Sequence, residues 1–438
     1  MLQGTDAGLE YIIKNEQYEI GTTELEFFET AFSSAKIPGK IIKRDRNGNF
    51  EGAGSGNGSG GEEIPEPIIY GARWHKNQSP TALERIHDAV GKTFVPSNGS
   101  APGSSSFDSI YPWSGIKRCV MVNGAVTAYE GEPEFSLTPS SGDVMVEIPA
   151  YYYKIIETAN DRDYIISDID PSVNPTPPEG FQLSPRHAPI PNKPAGQNKI
   201  YIGAYTCNSA YRSISGNASV TNISRATART QCRARGTGYG ITDYAAYWTV
   251  AMLYLVEVAN WDSQRVIGQG VSSGSGKINT GDTDGVPWHS GSPVPTNTRR
   301  GVKYRGMENL WGNIWQFTDG FNFNNSTIYI NLNPATYADD TAANYTALSY
   351  SRVAVAGIKY IKALGLDPLS PWAQAPTDVS GADGSYISDQ NWPNTGWNVS
   401  NLGGSWIDGS GTGLFAFCSQ YSSLDTSINV GARLLVLP

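Results

Sequence analysis

Apolar and polar positions follow two rhythms along this chain. From Val144 to Ile156 the run Val-Met-Val-Glu-Ile-Pro-Ala-Tyr-Tyr-Tyr-Lys-Ile-Ile is β-branched and aromatic, which predicts a central strand marred only by Pro149. Shorter strand-like pieces stand at Glu10–Ile13 and Gln17–Ile20. A helical rhythm begins after residue 223, where Ser224 offers an N-cap and the pattern runs through Arg225, Arg229, Gln231 and Arg233 to a stop at Gly236. Thr242 is the candidate N-cap of a second helix, from about Asp243 to Ala259. Its Tyr244, Tyr247, Trp248 and Tyr254 recur at helical spacing and predict core packing. The stretch Tyr244–Trp261 is long enough to cross a bilayer, but Thr249, Glu257, Asn260 and the aromatics suit a buried helix better. Beyond Trp261 the pattern offers no convincing helix, only short aromatic strands between Gly, Asn, Ser and Asp turns. The expected class is α+β with a loop-rich C-terminal half.

Composition shifts mark the boundaries. Residues 52–67 join the Gly/Ser run Gly52–Gly61 to an acidic, Pro-containing spacer and are expected to act as a linker. Residues 1–51 ahead of it form a small, mainly-β region that buries little surface alone, which suits attachment or oligomerisation. Residues 68–143 are expected to form a β-rich intermediate region, and 144–438 the main domain. Charged residues are only 17% of the 438 positions, against ~25% in ordinary domains; Gly (48) and Tyr (24) fill the gap. A coiled coil is thereby excluded. The net charge of -9 gives no electrostatic reason for nucleic acid to bind. The N-terminus lacks the basic and apolar regions of a signal peptide, so synthesis in a cytoplasm is expected.

The search for chemistry is mostly negative. The histidines His75, His87, His187 and His289 are far apart, without metal-ligand spacing. Cys119, Cys207, Cys232 and Cys418 form no CxxC pair, although Cys207 and Cys232 suit pairing under oxidising conditions. A GxGxxG match lies inside the linker, and a GxSxG match at Gly270–Gly274 lacks a strand-to-helix turn. Asp282 and Asp284 resemble the start of a calcium loop without its bidentate Glu, so a turn is expected. No cofactor and no metal is expected.

The informative stretch is Tyr304-Arg-Gly-Met-Glu-Asn-Leu-Trp-Gly-Asn-Ile-Trp-Gln-Phe-Thr-Asp319. Gly306 and Gly312 permit turns, Leu310, Trp311, Ile314, Trp315 and Phe317 supply a large apolar load, and Asn309 and Asn313 suit bonding to loop backbone. The stretch resembles the Asn-Leu-x-Gly-Asn-Val-Trp-Glu-Trp signature of formylglycine-generating-enzyme-type C-type lectin domains. Matching pieces follow in order: Ile148-Pro-Ala-Tyr-Tyr-Tyr-Lys, Ala226–Gly236, Gly403-Gly-Ser-Trp406 and Asn429-Val-Gly-Ala-Arg-Leu-Leu-Val436. The resemblance covers about residues 144–438 and implies a C-type lectin-type fold. It does not carry the enzyme chemistry over. Ile407 and Asp408 follow Trp406 where those enzymes have a cysteine pair, and Cys418 stands alone. The iron-binding histidine triad of the ergothioneine-type relatives is also missing, and Gln316 replaces the Glu linked with the family's calcium site.

The last segment, Gly381–Pro438, resembles the variable region of proteins diversified by retroelements, as in phage receptor-binding proteins. Adenine mutagenesis of Asn-type codons in that family reaches the residues present at Ile407, Asp408, Ser410, Thr412, Ala416, Cys418, Ser419 and Tyr421. Trp406, Gly409, Leu414 and Phe417 match the fixed frame between them. Asp389, Asn391, Trp392, Asn394, Trp397 and Asn398 are expected to extend the same surface, giving a variable region of about 385–428. The resemblance implies a non-enzymatic binding protein of the virion tail. Its expected partners are a host-surface protein or glycan, further copies in a homotrimer, and other tail proteins through the N-terminal region. The alternatives are an enzyme of the formylglycine-generating type with an altered site, and a structural tail-fibre protein of fixed sequence.

Overall fold

The structure is a computed structural model that describes residues 67–191, 193–294, 299–355 and 357–438, with the backbone of short strands ahead of residue 67. The chain divides into two compact units, Met1–Pro65 and Glu66–Pro438. In the first, Leu2–Thr5, Gly8–Ile13 and Glu16–Ile20 form an antiparallel three-stranded sheet, matching the strand-like pieces in the sequence. The Gly/Ser run lies outside the described residues.

The second unit is mostly β and loop-rich. In chain order it contains β1 (Ile69–His75), β2 (Glu84–His87), β3 (Lys117–Val122), β4 (Ala125–Tyr129), β5 (Asp143–Pro149), β6 (Tyr152–Glu157), β7 (Asp161–Ser167) and β8 (Lys199–Thr206). There follow α1 (Arg225–Arg233), β9 (Tyr239–Ile241), α2 (Tyr244–Val258), β10 (Trp315–Asn324), β11 (Thr327–Ile330), β12 (Gln390–Pro393), β13 (Trp397–Leu402), β14 (Phe417–Ser419) and β15 (Arg433–Val436). One sheet runs β4-β3-β5-β8-β15-β9, and a second runs β6-β7-β1-β2 beyond a short edge at Gln182–Leu183. The third runs β11-β10-β13-β14-β12 and carries short strands at both edges, with Val430–Gly431 parallel to β10. The α+β expectation fits only roughly: β-structure dominates, and α1 and α2 are joined by a single-turn helix, Ser263–Val266, absent from the sequence reading.

Two sequence expectations change. Val144–Ile156 is not one strand but two, β5 and β6, in different sheets. Pro149, with no N–H to donate, ends β5 against Lys199, and the chain turns at Ala150–Tyr151. The boundary expected at residue 143 is also no break. β1 pairs along its whole length with β7, and β3 pairs with β5, so residues 68–143 belong to the same sheets as the rest.

The helices form where their caps stand. Ser224 accepts a hydrogen bond from the Thr227 N–H at the start of α1, as its sequence position suggested. For α2 the cap is Asp243, one residue past Thr242. The Thr242 carbonyl, which an N-cap offers to the first turn, accepts instead from the Asp319 N–H (3.1 Å), and its Oγ1 donates to the Arg433 carbonyl, so the helix starts after it and the Asp243 carboxylate accepts from Ala246 N. That carboxylate also takes Arg186 Nη1 at 2.9 Å inside the core. Helix α2 is buried almost all round: Tyr244 stacks on Phe321 with ring centroids 3.7 Å apart, and Tyr254 meets Phe415 edge-on at 6.0 Å. Each such aromatic contributes about 1.5–3 kcal/mol by leaving water. The arginines of α1 bind the third sheet: Arg229 takes Asp319 and Asp339, and Arg225 reaches the Thr318 and Phe321 carbonyls of β10. These contacts fix β10, on which the candidate site rests.

Candidate ligand-binding face

The frame of this face is the stretch that precedes and opens β10. Asn309 and Asn313 adopt left-handed backbone (φ 51° and 64°) and tie down neighbouring loops. Asn313 accepts from Ile278 N at 2.8 Å and donates to the Ile278 carbonyl, while Asn309 Oδ1 accepts from Val302 N. The Trp311 indole donates to the Gly268 carbonyl at 3.0 Å. Arg433 of β15, fully buried, gathers the rest. Its guanidinium donates to Gln316 Oε1 (2.7 Å) and to the carbonyls of Gly203, Ala204, Glu308 and Asn309. Burial pushes its pKa down to about 10. At Gly403 (φ 92°) a Cβ would fall on the Leu310 carbonyl, so only glycine lets the chain leave β13 there.

A loop from Ser405 to Ala416 is carried on this frame. Asp408 accepts from Ser405 N and Oγ, both at 2.7 Å, and burial raises its pKa. The Trp406 N–H donates to Asn313 O, and Gly409 N to Ser272 O. The loop returns at Phe415, whose N–H donates to Asp389 Oδ2 (2.7 Å). Asn429 Nδ2 donates to Ser405 Oγ (3.2 Å), which sets the turn before Val430 beside this loop.

The structure divides the sequence-derived site residues into two groups. Asn394, Ile407 and Ser410 are exposed, and Trp397, Asp408 and Tyr421 are half-buried. Asp389, Asn391, Trp392, Asn398, Thr412, Ala416, Cys418 and Ser419 are buried in the chain, so the expectation that they project outward is corrected. Each has an internal role or packing place that explains this. Asp389 holds the returning loop. Asn398 Nδ2 donates to the carbonyls of Asn394, Thr395 and Gly396, closing the turn before β13. Trp392 meets Trp315 edge-on at 4.8 Å, and Ser419 Oγ accepts from Arg352 Nη1 at 2.8 Å. The Cys418 thiol is pushed up to about 12 by burial. Thr412 and Ala416 pack in the loop interior, and Asn391 is a residue of β12 opposite Phe417, its carboxamide buried without a hydrogen-bond partner.

Sequence reasoning missed other exposed groups. Leu424 (84% exposed) and Ile428 (60%) join Ile407 (55%) as aliphatic side chains facing water around this loop and its neighbour. Their signal was legible: single apolar residues in the polar run Ser-Ser-Leu-Asp-Thr-Ser-Ile-Asn fit only an exposed turn. Tyr360 was missed as well and shares a 2.7 Å hydrogen bond with Ser410. Among the described residues, no group of three or more His, Cys, Asp or Glu is arranged to hold a metal ion. The acids at 282–308 are engaged internally: Asp282 binds Arg300, Glu308 accepts from Gly281 and Thr283, and Asp284 lies in hydrogen-bond reach of Tyr205 and Ser215.

No family model matches the chain, and no curated protein matches it. Among solved structures it is similar to the Major Tropism Determinant U1 variant, with 10% identity and a TM-score of 0.28, covering 82% of this chain and 81% of that one. It is similar also to the Major Tropism Determinant P3c variant, with 10% identity and a TM-score of 0.27, covering 84% and 83% of the two chains.

Proposed function

We propose that this chain is a receptor-binding protein of a phage tail, with a C-type lectin-type domain whose C-terminal face recognises a host-surface molecule. The supporting observation is the contrast within residues 403–429. A hydrogen-bonded frame of Gly403, Asn313, Ser405, Asn429 and Arg433 holds side chains such as Ile407, Ser410, Leu424 and Ile428 in water. Exposed aliphatic side chains on a rigid base suit recognition by packing, and they change without collapsing a core. Retroelement diversification of the exposed positions belongs to this reading, as do a homotrimer and attachment through residues 1–51. The altered-enzyme alternative finds no support in the residues, since Ile407 and Asp408 stand where its cysteine pair would follow Trp406.

Sequencing the 3′ end of the gene across one natural population tests the reading. Substitutions are expected at Asn394, Ile407, Ser410 and Tyr421, with Gly403, Trp406 and Arg433 constant. Buried Asn398 and Thr412 should vary less than the exposed positions. A uniform C-terminus would remove diversification and favour a tail-fibre protein of fixed sequence. Labelled protein that attaches to host cells, and loses attachment in Ile407→Asp with its melting temperature unchanged, supports recognition through this loop.

A further inference from the structure

Tyr329 of β11 and Trp397 of β13 stand on strands that flank β10 on opposite sides. The register sets Asn322 against both Tyr329 and Val399, and Asn324 against both Thr327 and Trp397. Residues opposite one another in a ladder project from the same face. Tyr329, Trp397, Asn324 and Thr327 therefore share one face, while Phe321, Phe323 and Ile328 fill the core beside α2 from the other. The two rings meet across β10 with centroids 5.6 Å apart and planes 31° from parallel, and both are half-exposed.

The exposed polar groups around this aromatic pair are carboxamides and hydroxyls, while Arg225, which donates to Asn322 on the same face, and Arg352, which donates to the Asn394 carbonyl, are buried. Asn324 and Thr327 are half-exposed, and Asn325, Asn394 and Thr395 are exposed. The turns that carry them are fixed: Asn325 N donates to Gly396 O, and Gly396 N to Asn325 Oδ1, each at 3.0 Å. Asn398 holds the adjoining turn from inside. Carboxamides and hydroxyls beside an open aromatic surface match a ligand with apolar C–H faces and many hydroxyls. A nucleic acid would need a basic rim, which these side chains do not supply, and the chain as a whole carries a net charge of -9. A peptide strand would need a free sheet edge, but β10, β11 and β13 are each paired on both sides.

We propose that the Tyr329–Trp397 pair is a binding site for a neutral carbohydrate, stacking pyranose rings on the two side chains while Asn324, Asn325 and Asn394 address their hydroxyls. The site uses other side chains than Ile407 and Ile428; Asn394 Nδ2 donates to the Gln420 carbonyl (3.3 Å), just before the loop that carries Ile428. It rests on the receptor-binding reading only in that a host-surface glycan would be the natural ligand.

The test is saturation-transfer NMR on the full chain with three neutral probes, chitohexaose, maltohexaose and cellohexaose, and an anionic oligogalacturonate for comparison. Transfer to at least one neutral probe is expected. Trp397→Ala or Tyr329→Ala should weaken it by about tenfold or more, Trp397→Phe should retain part of it, and Ile407→Ser should leave it unchanged. Circular dichroism of each variant separates loss of the site from loss of the fold. No transfer to any neutral probe overturns the proposal, as does binding that survives both alanine variants or prefers the anionic probe. Cell attachment keeps the two readings apart. Sugar binding lost in Trp397→Ala, in a protein that attaches to no host cell, supports this site and counts against the receptor-binding reading. Attachment lost only in Ile407→Asp, without sugar binding, does the reverse.

Discussion

Arg433 is the residue on which the frame converges, and it has no carboxylate among its hydrogen-bond partners. Its donors satisfy Gln316 and four main-chain carbonyls, from the end of β8 and from the turn before β10. Arg433→Met should leave these acceptors buried and unpaired and cost about 3 kcal/mol or more. Arg433→Lys should not rescue it, because one ammonium cannot span a fork-shaped set of acceptors. Urea unfolding, with an unchanged slope and a lower midpoint, checks both. Asp389 gives a prediction in pH. Burial, with Asp262 as a second cause, raises its pKa well above the ordinary value of 3.8. A carboxyl raised on folding contributes its full stability below the unfolded value and loses it as pH climbs through the folded one, at about 1.4 kcal/mol per unit traversed. Asp389→Asn should therefore gain on the native protein as pH rises over the range above about 4. Melting temperatures of the two proteins that stay parallel over that range would disprove the assignment. The same residue shows why the site was only half legible. Asn and Asp in a Gly/Ser-rich segment look like solvated turn residues, yet Asp389 and Asn398 spend their polar atoms on backbone inside the chain.

At the scale of elements, the loop from Ser405 to Ala416 depends on where its glycines stand. Gly403 combines φ 92° with a carbonyl occupying the place of a Cβ, whereas Gly409 has φ 59° and open space around it. Gly403→Ala should cost about 3 kcal/mol or more through displaced backbone. Gly409→Ala should cost only about 1–2 kcal/mol, the left-handed penalty alone. Equal thermal shifts for the two would show that the loop is not anchored at Gly403. The helices were legible because their signals are local: Ser224 caps α1 as read, and α2 slips by one residue because a distant N–H, that of Asp319 in β10, claims the Thr242 carbonyl. The sheets were not legible for the converse reason. Whether β5 and β6 are one strand or two is settled by their partners, Lys199–Gly203 for β5 and the hairpin strand Arg162–Ile166 for β6, and the distant pairing of β5 leaves no periodic trace.

For the whole molecule, residues 1–65 and residues 433–438 carry unequal weight. In the second unit β1 lies within a sheet between β7 and β2, and β15 lies between β8 and β9. Residues 433–438 supply Arg433 and the buried Leu434, Leu435 and Val436, so they complete the sheet that supports the candidate face. Deleting them should abolish folding, with loss of the cooperative thermal transition. Deleting residues 1–65, a separate compact unit, should leave the main transition in place. That deletion also divides recognition from avidity. If residues 1–51 assemble the trimer, sedimentation should show the shortened protein as a monomer. Its attachment to cells should then fall by a factor of about 10²–10⁴, the usual gain from linked sites, while single-site sugar affinity stays the same. A shortened protein that remains trimeric would place the assembly contacts in the second unit.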